Sequence, residues 1–181
     1  IVIGDTYKNQ SAQLIPDRLG IAIIDQLGLY LRTDLIWFKK GYQPESVTNR
    51  WTLSKENIFF FTKHPSKYHF NGDKIRIHYE TTGVDKKPPR HHNSQTENLS
   101  PSLRHPIGKM PPDVIHSTRF AKSVDVDELG HTAPFPSRLI EPFISATCEP
   151  GFVVCDPFGG SMTTGEVALQ NGGTYIGYEI N

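Results

Sequence analysis

The residues best suited to chemistry in this 181-residue chain are concentrated in FVVCDPFGGSMTTGEVALQNGGTYIGYE, from Phe152 to Glu179. Glu179 lies 23 residues past Asp156, close to the spacing of roughly 20 at which an acid on a second strand tip accepts hydrogen bonds from ribose hydroxyls. Between the two acids, Gly159 and Gly160 let the backbone turn sharply and approach a ligand closely. Ser161, Thr163 and Thr164 supply hydroxyls of the helix-capping type, and the amides of the helix they introduce face the same ligand. The glycines lack GxGxxG spacing, and no lysine from Gly151 to Asn181 completes a P-loop. With neither device for a pyrophosphate present, the pattern favours a nucleoside cofactor without phosphate, for which S-adenosylmethionine is the obvious candidate.

Short elements must position these groups. Phe152 to Cys155 reads as a central parallel strand buried on both faces, Cys155 included, and it stops at Asp156 because Pro157 cannot continue a ladder. Gly165 to Leu169 reads as a helix ended by Gly172 and Gly173, and Tyr175 to Ile180 as the returning strand. Upstream, Ile1 to Ile3 is a buried strand end. Pro16 suits a first helical turn, Leu19, Ala22, Ile23 and Leu27 form its apolar stripe, and Gly28 stops it. Leu35 to Phe38 and Ile58 to Phe61 have strand length and are expected to form an antiparallel pair at the sheet edge. Asp5, Tyr7 and Lys8 face the presumed cleft or serve as turn residues. Trp37, Trp51 and Phe59 read as core or sheet-edge packing.

The loop and its surroundings resemble the DNA amino-methyltransferases that modify cytosine N4 or adenine N6. Their cofactor motif, roughly DPFxGSGTTG, is matched by DPFGGSMTTG from Asp156 to Gly165. HTAPFPSRLIEPFI, from His131 to Ile144, matches the element that closes over the methionine end of the cofactor. IGDTYKN, DLIWFKKGYQPESVTNR and TLSKENIFFFTK follow in the family's order, so the likeness spans most of the chain except about residues 70 to 112. It implies a Rossmann-like α/β S-adenosylmethionine-dependent methyltransferase fold with permuted motif order and a mixed sheet carrying an antiparallel edge hairpin. It also implies Asp156, Pro157, Phe158, Gly160, Ser161, Thr163, Thr164 and Glu179 as cofactor contacts, with Phe135 and Pro136 closing the site.

Two departures stand out. Met162 replaces the usual loop glycine, which leans towards cytosine N4 over adenine N6. The family's catalytic tetrapeptide, Ser or Asp followed by Pro, Pro and an aromatic, does not occur; the double prolines lie in KKPPR and KMPPD. The family order places that tetrapeptide upstream of Ile1, so the chain reads as an internal fragment cut at both ends, inactive by itself. An inactive cofactor- and DNA-binding remnant, or a methyltransferase acting on RNA or protein, are the alternatives.

Composition fits one α/β domain, with residues 1–69 and 123–181 forming its catalytic part. The 19 basic and 19 acidic residues cancel, which argues against a generally basic nucleic-acid-coating protein. Charge is instead local. From 86 to 122, Lys86, Lys87, Arg90, Arg104, Lys109, Arg119 and Lys122 against Glu97 and Asp113 give a formal +5. A solvated loop would show the same composition; the resemblance places target recognition here, making residues 70–122 the expected insert and double-stranded DNA the partner. Lys86, Lys87, Arg90, Arg104 and Lys109 are its phosphate-contact candidates, and Asn93, Gln95 and Asn98 are of base-reading type. A cognate restriction endonuclease is the further expected partner. His91, His92, His105 and His116 fit no standard metal spacing and read as surface residues. Two cysteines suit a reducing cytoplasm, and nothing in the sequence supports membrane insertion or secretion.

Overall fold

A computed structural model describes residues 1–42, 44–79, 105–118 and 135–180. Its elements run β1 (Val2–Ile3), β2 (Tyr7–Lys8), β3 (Ser11–Ala12), α1 (Ile15–Leu27), β4 (Tyr30–Lys40), β5 (Lys55–Thr62), a 3-10 turn (Gly72–Ile75), β6 (Val114–Thr118), α2 (Ser137–Thr147), β7 (Val153–Asp156), α3 (Thr163–Gln170) and β8 (Thr174–Gly177). No described helix is long and apolar enough to cross a membrane.

The aromatic and β-branched runs of β4 and β5 pair antiparallel, Leu35 opposite Ile58 and Trp37 opposite Glu56. They do not lie at the sheet edge as expected. The order is β1-β5-β4-β6, so each strand of the pair finds a second ladder partner, β1 antiparallel to β5 and β6 parallel to β4. The sheet is therefore mixed, as expected, but its hairpin is central. Residues 114–118, inside the span read as the recognition insert, form β6 and so belong to this sheet, pairing from Ile36–Val114 to Lys40–Thr118.

Strand alternation divides the sheet's side chains between two helical layers. Trp37, Ile58, Val2, Leu35 and Ile115 share one face and pack against Leu139, Phe143 and Phe135, with Leu139 fully buried in α2. Phe59 points to the other face, where Gly20 of α1 comes within 3.4 Å of its ring on an added Cβ. The α1 stripe is shorter than expected: Ile23 is buried, whereas Leu27 in the last turn is 67% exposed. Gly28 ends the helix in the left-handed region at φ 63°, donating to the Ile24 carbonyl.

Asp5 resolves to a turn role. Its Oδ1 accepts from the Thr6 and Ile15 amides at 2.9 and 3.0 Å, and its Oδ2 from Leu14 at 3.1 Å. These amides otherwise have no helical partner, and Leu14 itself sits at φ 54°. The Ile15 amide leads the backbone hydrogen bonds that hold the Asp5 carboxyl below the usual carboxylate range.

β7 and β8 form a separate parallel pair, Val153 opposite Thr174 through Asp156 opposite Gly177. The strand from Phe152 was expected to be buried on both faces, and this is corrected: Val153 is 60% exposed and Cys155 is exposed as well. α3 covers the face carrying Tyr175, whose ring lies 2.6 Å from where a Cβ on Gly165 would sit. Among the described residues nothing covers the other face. An apolar run reads alike in either case, which is why the sequence misleads here. β8 also ends earlier than expected, at Gly177: the Tyr178 amide still makes the ladder bond to the Asp156 carbonyl at 3.0 Å, but the Phe158 amide goes to Asp156 Oδ1 and the Tyr178 carbonyl accepts from Gly159 at 2.7 Å.

Leu139→Ala is expected to lower unfolding free energy by about 2–5 kcal/mol, read from the urea midpoint. For Asp5, the depressed folded pKa means that its contribution is present above the unfolded value of about 3.9 and is lost as pH falls through the folded one. Asp5→Asn therefore lowers the thermal midpoint at neutral pH and flattens its fall on acidification.

A candidate cofactor site at the tip of strand β7

β7 stops where Asp156 becomes a turn residue, its Oδ1 accepting from the Phe158 amide at 3.1 Å across Pro157. Phe158 is left almost fully exposed. Gly160 adopts φ 53°, and its amide donates to Glu179 Oε2 at 2.7 Å, while Glu179 Oε1 accepts from Ile180 at 2.8 Å. The two acids identified from spacing thus converge on one glycine turn. Glu179 reaches it from beyond β8 and not from within a strand. Ser161 Oγ and Thr163 Oγ1 lie 3.0 Å apart at the start of α3, and both are half-buried, as is Thr164.

The helix cap differs from expectation. Met162, not a hydroxyl residue, occupies the N-cap at φ 59° with no side-chain cap hydrogen bond. Its amide donates to the Gly159 carbonyl at 2.8 Å, and its sulfur accepts from the Tyr175 hydroxyl at 3.4 Å. A side chain on Gly159 would meet that sulfur at 2.7 Å. Left-handed backbone is cheap for glycine and costs other L-residues about 1–2 kcal/mol, so the glycine of related loops has a backbone reason. In the sequence the non-glycine at 162 marks only a departure from the family loop; its contact with Tyr175 comes from the fold.

The electrostatic character is negative. No lysine or arginine occurs from Gly151 to Asn181, and Asp156 and Glu179 supply carboxylates. Burial, then the charges of Asp156 and Cys155, pushes the Tyr175 hydroxyl above its ordinary pKa. The Ile1 nitrogen donates to the Phe59 carbonyl at 3.1 Å. A site with acceptors, small turn residues and no cation suits ribose hydroxyls and a positive centre better than a phosphate.

Other expected residues fall differently. Phe135 packs on the Trp37–Ile58–Leu139 core, and Pro136 is buried at the N-cap of α2, which packs against α3. Lys109 is exposed and its backbone bridges Ile77. Lys86, Lys87, Arg90, Arg104, His91, His92, Asn93, Gln95, Asn98 and His131 lie outside the described residues. His105 Nε2 lies 3.6 Å from Asp73 Oδ1, and His116 packs edge-on against Phe38. Glu56 pairs with Lys39. Trp37 and Phe59 are core residues, but Trp51 is 92% exposed, so the packing role expected for it is corrected.

The DNA methylase family model matches residues 1–181. The chain belongs to the DNA methylase family. Among similar relatives, the Type II methyltransferase M.Cfr9I of Citrobacter freundii is 34% identical over 167 residues, covering 92% of this chain and 45% of the relative. The DNA adenine methyltransferase YhdJ of Escherichia coli (strain K12) is 35% identical over 132 residues, 70% of this chain and 40% of the relative. The chain thus spans about half the length of these relatives. Of solved structures, the cytosine-N4-specific PvuII DNA methyltransferase superposes with TM-score 0.73 at 22% identity, covering 99% of this chain and 58% of that one. The M1.HpyAVI–SAM complex does so with TM-score 0.54 at 21% identity, covering 92% and 64%. The DNA methylase chain shares their fold.

At position 162 the usual helix ranking should invert. Met162→Gly is expected to be more stable than Met162→Ala by about 1 kcal/mol, whereas in a helix interior alanine wins by a similar margin. Parallel thermal melts decide the sign.

Proposed function

We propose that the protein transfers a methyl group from S-adenosylmethionine to an exocyclic amine of a base in double-stranded DNA, with cytosine N4 preferred to adenine N6. The observation that carries this reading is the convergence of Asp156 and Glu179 on the Gly160 turn in a segment without a cation. Family membership supports DNA as substrate, and the M1.HpyAVI–SAM complex supports the cofactor. The non-glycine Met162 and the fold shared with the cytosine-N4-specific PvuII enzyme support the base, against which the adenine enzyme YhdJ stands as the alternative.

In this reading Glu179 exchanges the Gly160 amide for ribose hydroxyls, Asp156, Pro157 and Phe158 shape the tip, and Ser161, Thr163 and Thr164 lie along the cofactor. Phe135 and Pro136 close the site from the α2 side. The bound cofactor supplies an electrophilic methyl on a positively charged sulfur. The target amine is a poor nucleophile because its lone pair delocalises into the ring, so the base must leave the stack and be held with that pair localised. With the cofactor bound, methyl transfer would join the methyl carbon to the amine nitrogen and leave a neutral thioether, the amine's proton passing to water. Alignment by the β7 tip is this chain's contribution. No Ser or Asp followed by Pro, Pro and an aromatic occurs in the 181 residues, so the amine-holding groups are assigned outside them.

Recognition is proposed for residues 70–122, with Lys86, Lys87, Arg90, Arg104 and Lys109 on phosphates and β6 anchoring the segment to the sheet. A cognate restriction endonuclease is proposed from the Type II relatives, and a cytoplasmic location from the free cysteines Cys148 and Cys155.

With labelled cofactor and duplex DNA, digestion to nucleosides is expected to yield N4-methylcytosine. N6-methyladenine would select the alternative base; 5-methylcytosine alone, or no methylated base, would overturn the proposal. Glu179→Gln is expected to weaken cofactor binding by calorimetry at least about tenfold, the scale of a lost charge-assisted hydrogen bond.

A further inference from the structure

The loop from 41 to 54 joins β4 to β5 at the end of the sheet where β1 and β4 finish. Ligands of open α/β sheets sit at that end. One of the chain's two tryptophans lies there: Trp37 is 4% exposed beneath it, while Trp51 is 92% exposed. A lone exposed apolar residue needs no explanation by itself. What sets Trp51 apart is how its backbone is held.

Arg50 Nη1 donates to the Trp51 carbonyl at 3.1 Å, and Nη2 to Glu45 Oε2 at 2.5 Å. The same guanidinium lies 4.0 Å from the Tyr7 ring centroid, a cation–π contact that ties the loop to the β2–β3 hairpin. Glu45 Oε1 accepts from the Leu53 amide at 3.2 Å, fixing the far side. The Arg50 hydrogen bond leads the causes that hold the Glu45 carboxyl below the usual range, so this brace is formed at neutral pH. A slack loop would let the indole fold onto the protein; this one is tied on both sides of Trp51 and presents it outward.

Charge indicates what meets it. Three carboxylates at this end are engaged within the protein: Asp5 with α1, Glu45 with Arg50, and Glu56 with Lys39. Lys8, Lys40 and Lys55 are exposed around them. An outward aromatic ring with exposed cations nearby, two of the acids ion-paired and the third held by backbone amides, suits a polyanion whose bases offer flat π faces.

We propose that Trp51 is a duplex-contact residue whose indole packs against the base stack beside the displaced base, with Arg50 as its positioning residue. The proposal rests on the DNA reading above and adds a contact surface distinct from the 70–122 segment.

The test uses the whole protein and duplex DNA containing its methylation site. The fluorescence difference between wild type and Trp51→Phe isolates the Trp51 signal; duplex is expected to quench it and to shield it from acrylamide. Trp51→Ala is expected to weaken duplex binding about tenfold or more, the scale of one lost base–aromatic stack, with cofactor affinity and melting temperature unchanged. Arg50→Ala should weaken duplex binding and reduce the quench by freeing the indole. Duplex methylation with Trp51 unshielded, or Trp51→Ala binding duplex within twofold of wild type, overturns this proposal and leaves the functional reading intact. A wild-type protein that neither binds nor methylates duplex overturns both.

Discussion

A backbone that turns sharply at the end of a strand exposes amides that must find acceptors, and at the tip of β7 the hydrogen bond from Gly160 to Glu179 meets that demand. It links two segments that a whole helix separates in sequence. Because Tyr178 also bonds Asp156 and Gly159 through its backbone, the returning chain is laced across the tip and both acids come to one place. The proposed reading uses the same carboxylate, with ribose hydroxyls as donors in place of the protein amide. A carboxylate already holding a backbone amide needs little reorganisation to take a ligand hydroxyl.

The rest of the fold serves to hold that tip against the larger sheet. Leu139 and Phe143 seat α2 on Trp37 and Ile58, and α2 packs in turn against α3, whose N-terminus is the turn itself. Tyr175 brings α3 close to β8 because Gly165 has no side chain to keep it away, and its hydroxyl reaches Met162. One aromatic ring therefore sets both the helix-to-strand distance and the position of the residue that caps the helix.

Polar groups at the sheet end divide into those spent internally and those left outward. Asp5 holds the first amides of α1, Arg50 and Glu45 stiffen the loop that carries Trp51, and Lys39 neutralises Glu56. None of these is needed for core burial, and the proposed duplex face is what they leave outward.

The strand–turn–helix unit, its acids, the β4–β5 pairing and the α1 boundaries were legible in the sequence because each depends on local chemistry: a proline that ends a ladder, glycines that turn, apolar runs of strand length. Burial was not. Val153 and Cys155 read as core yet are exposed, Trp51 reads as packing yet stands in solvent, and a hairpin assigned to an edge lies in the middle of a sheet. What covers a face, and which strand takes the second side of a ladder, depends on segments distant in sequence. The amino acids alone determined where this chain could bend and which groups could accept a hydrogen bond. Only the tertiary structure decided which of them meet, since a carboxylate beyond β8 reaches Gly160 through space and not along the chain.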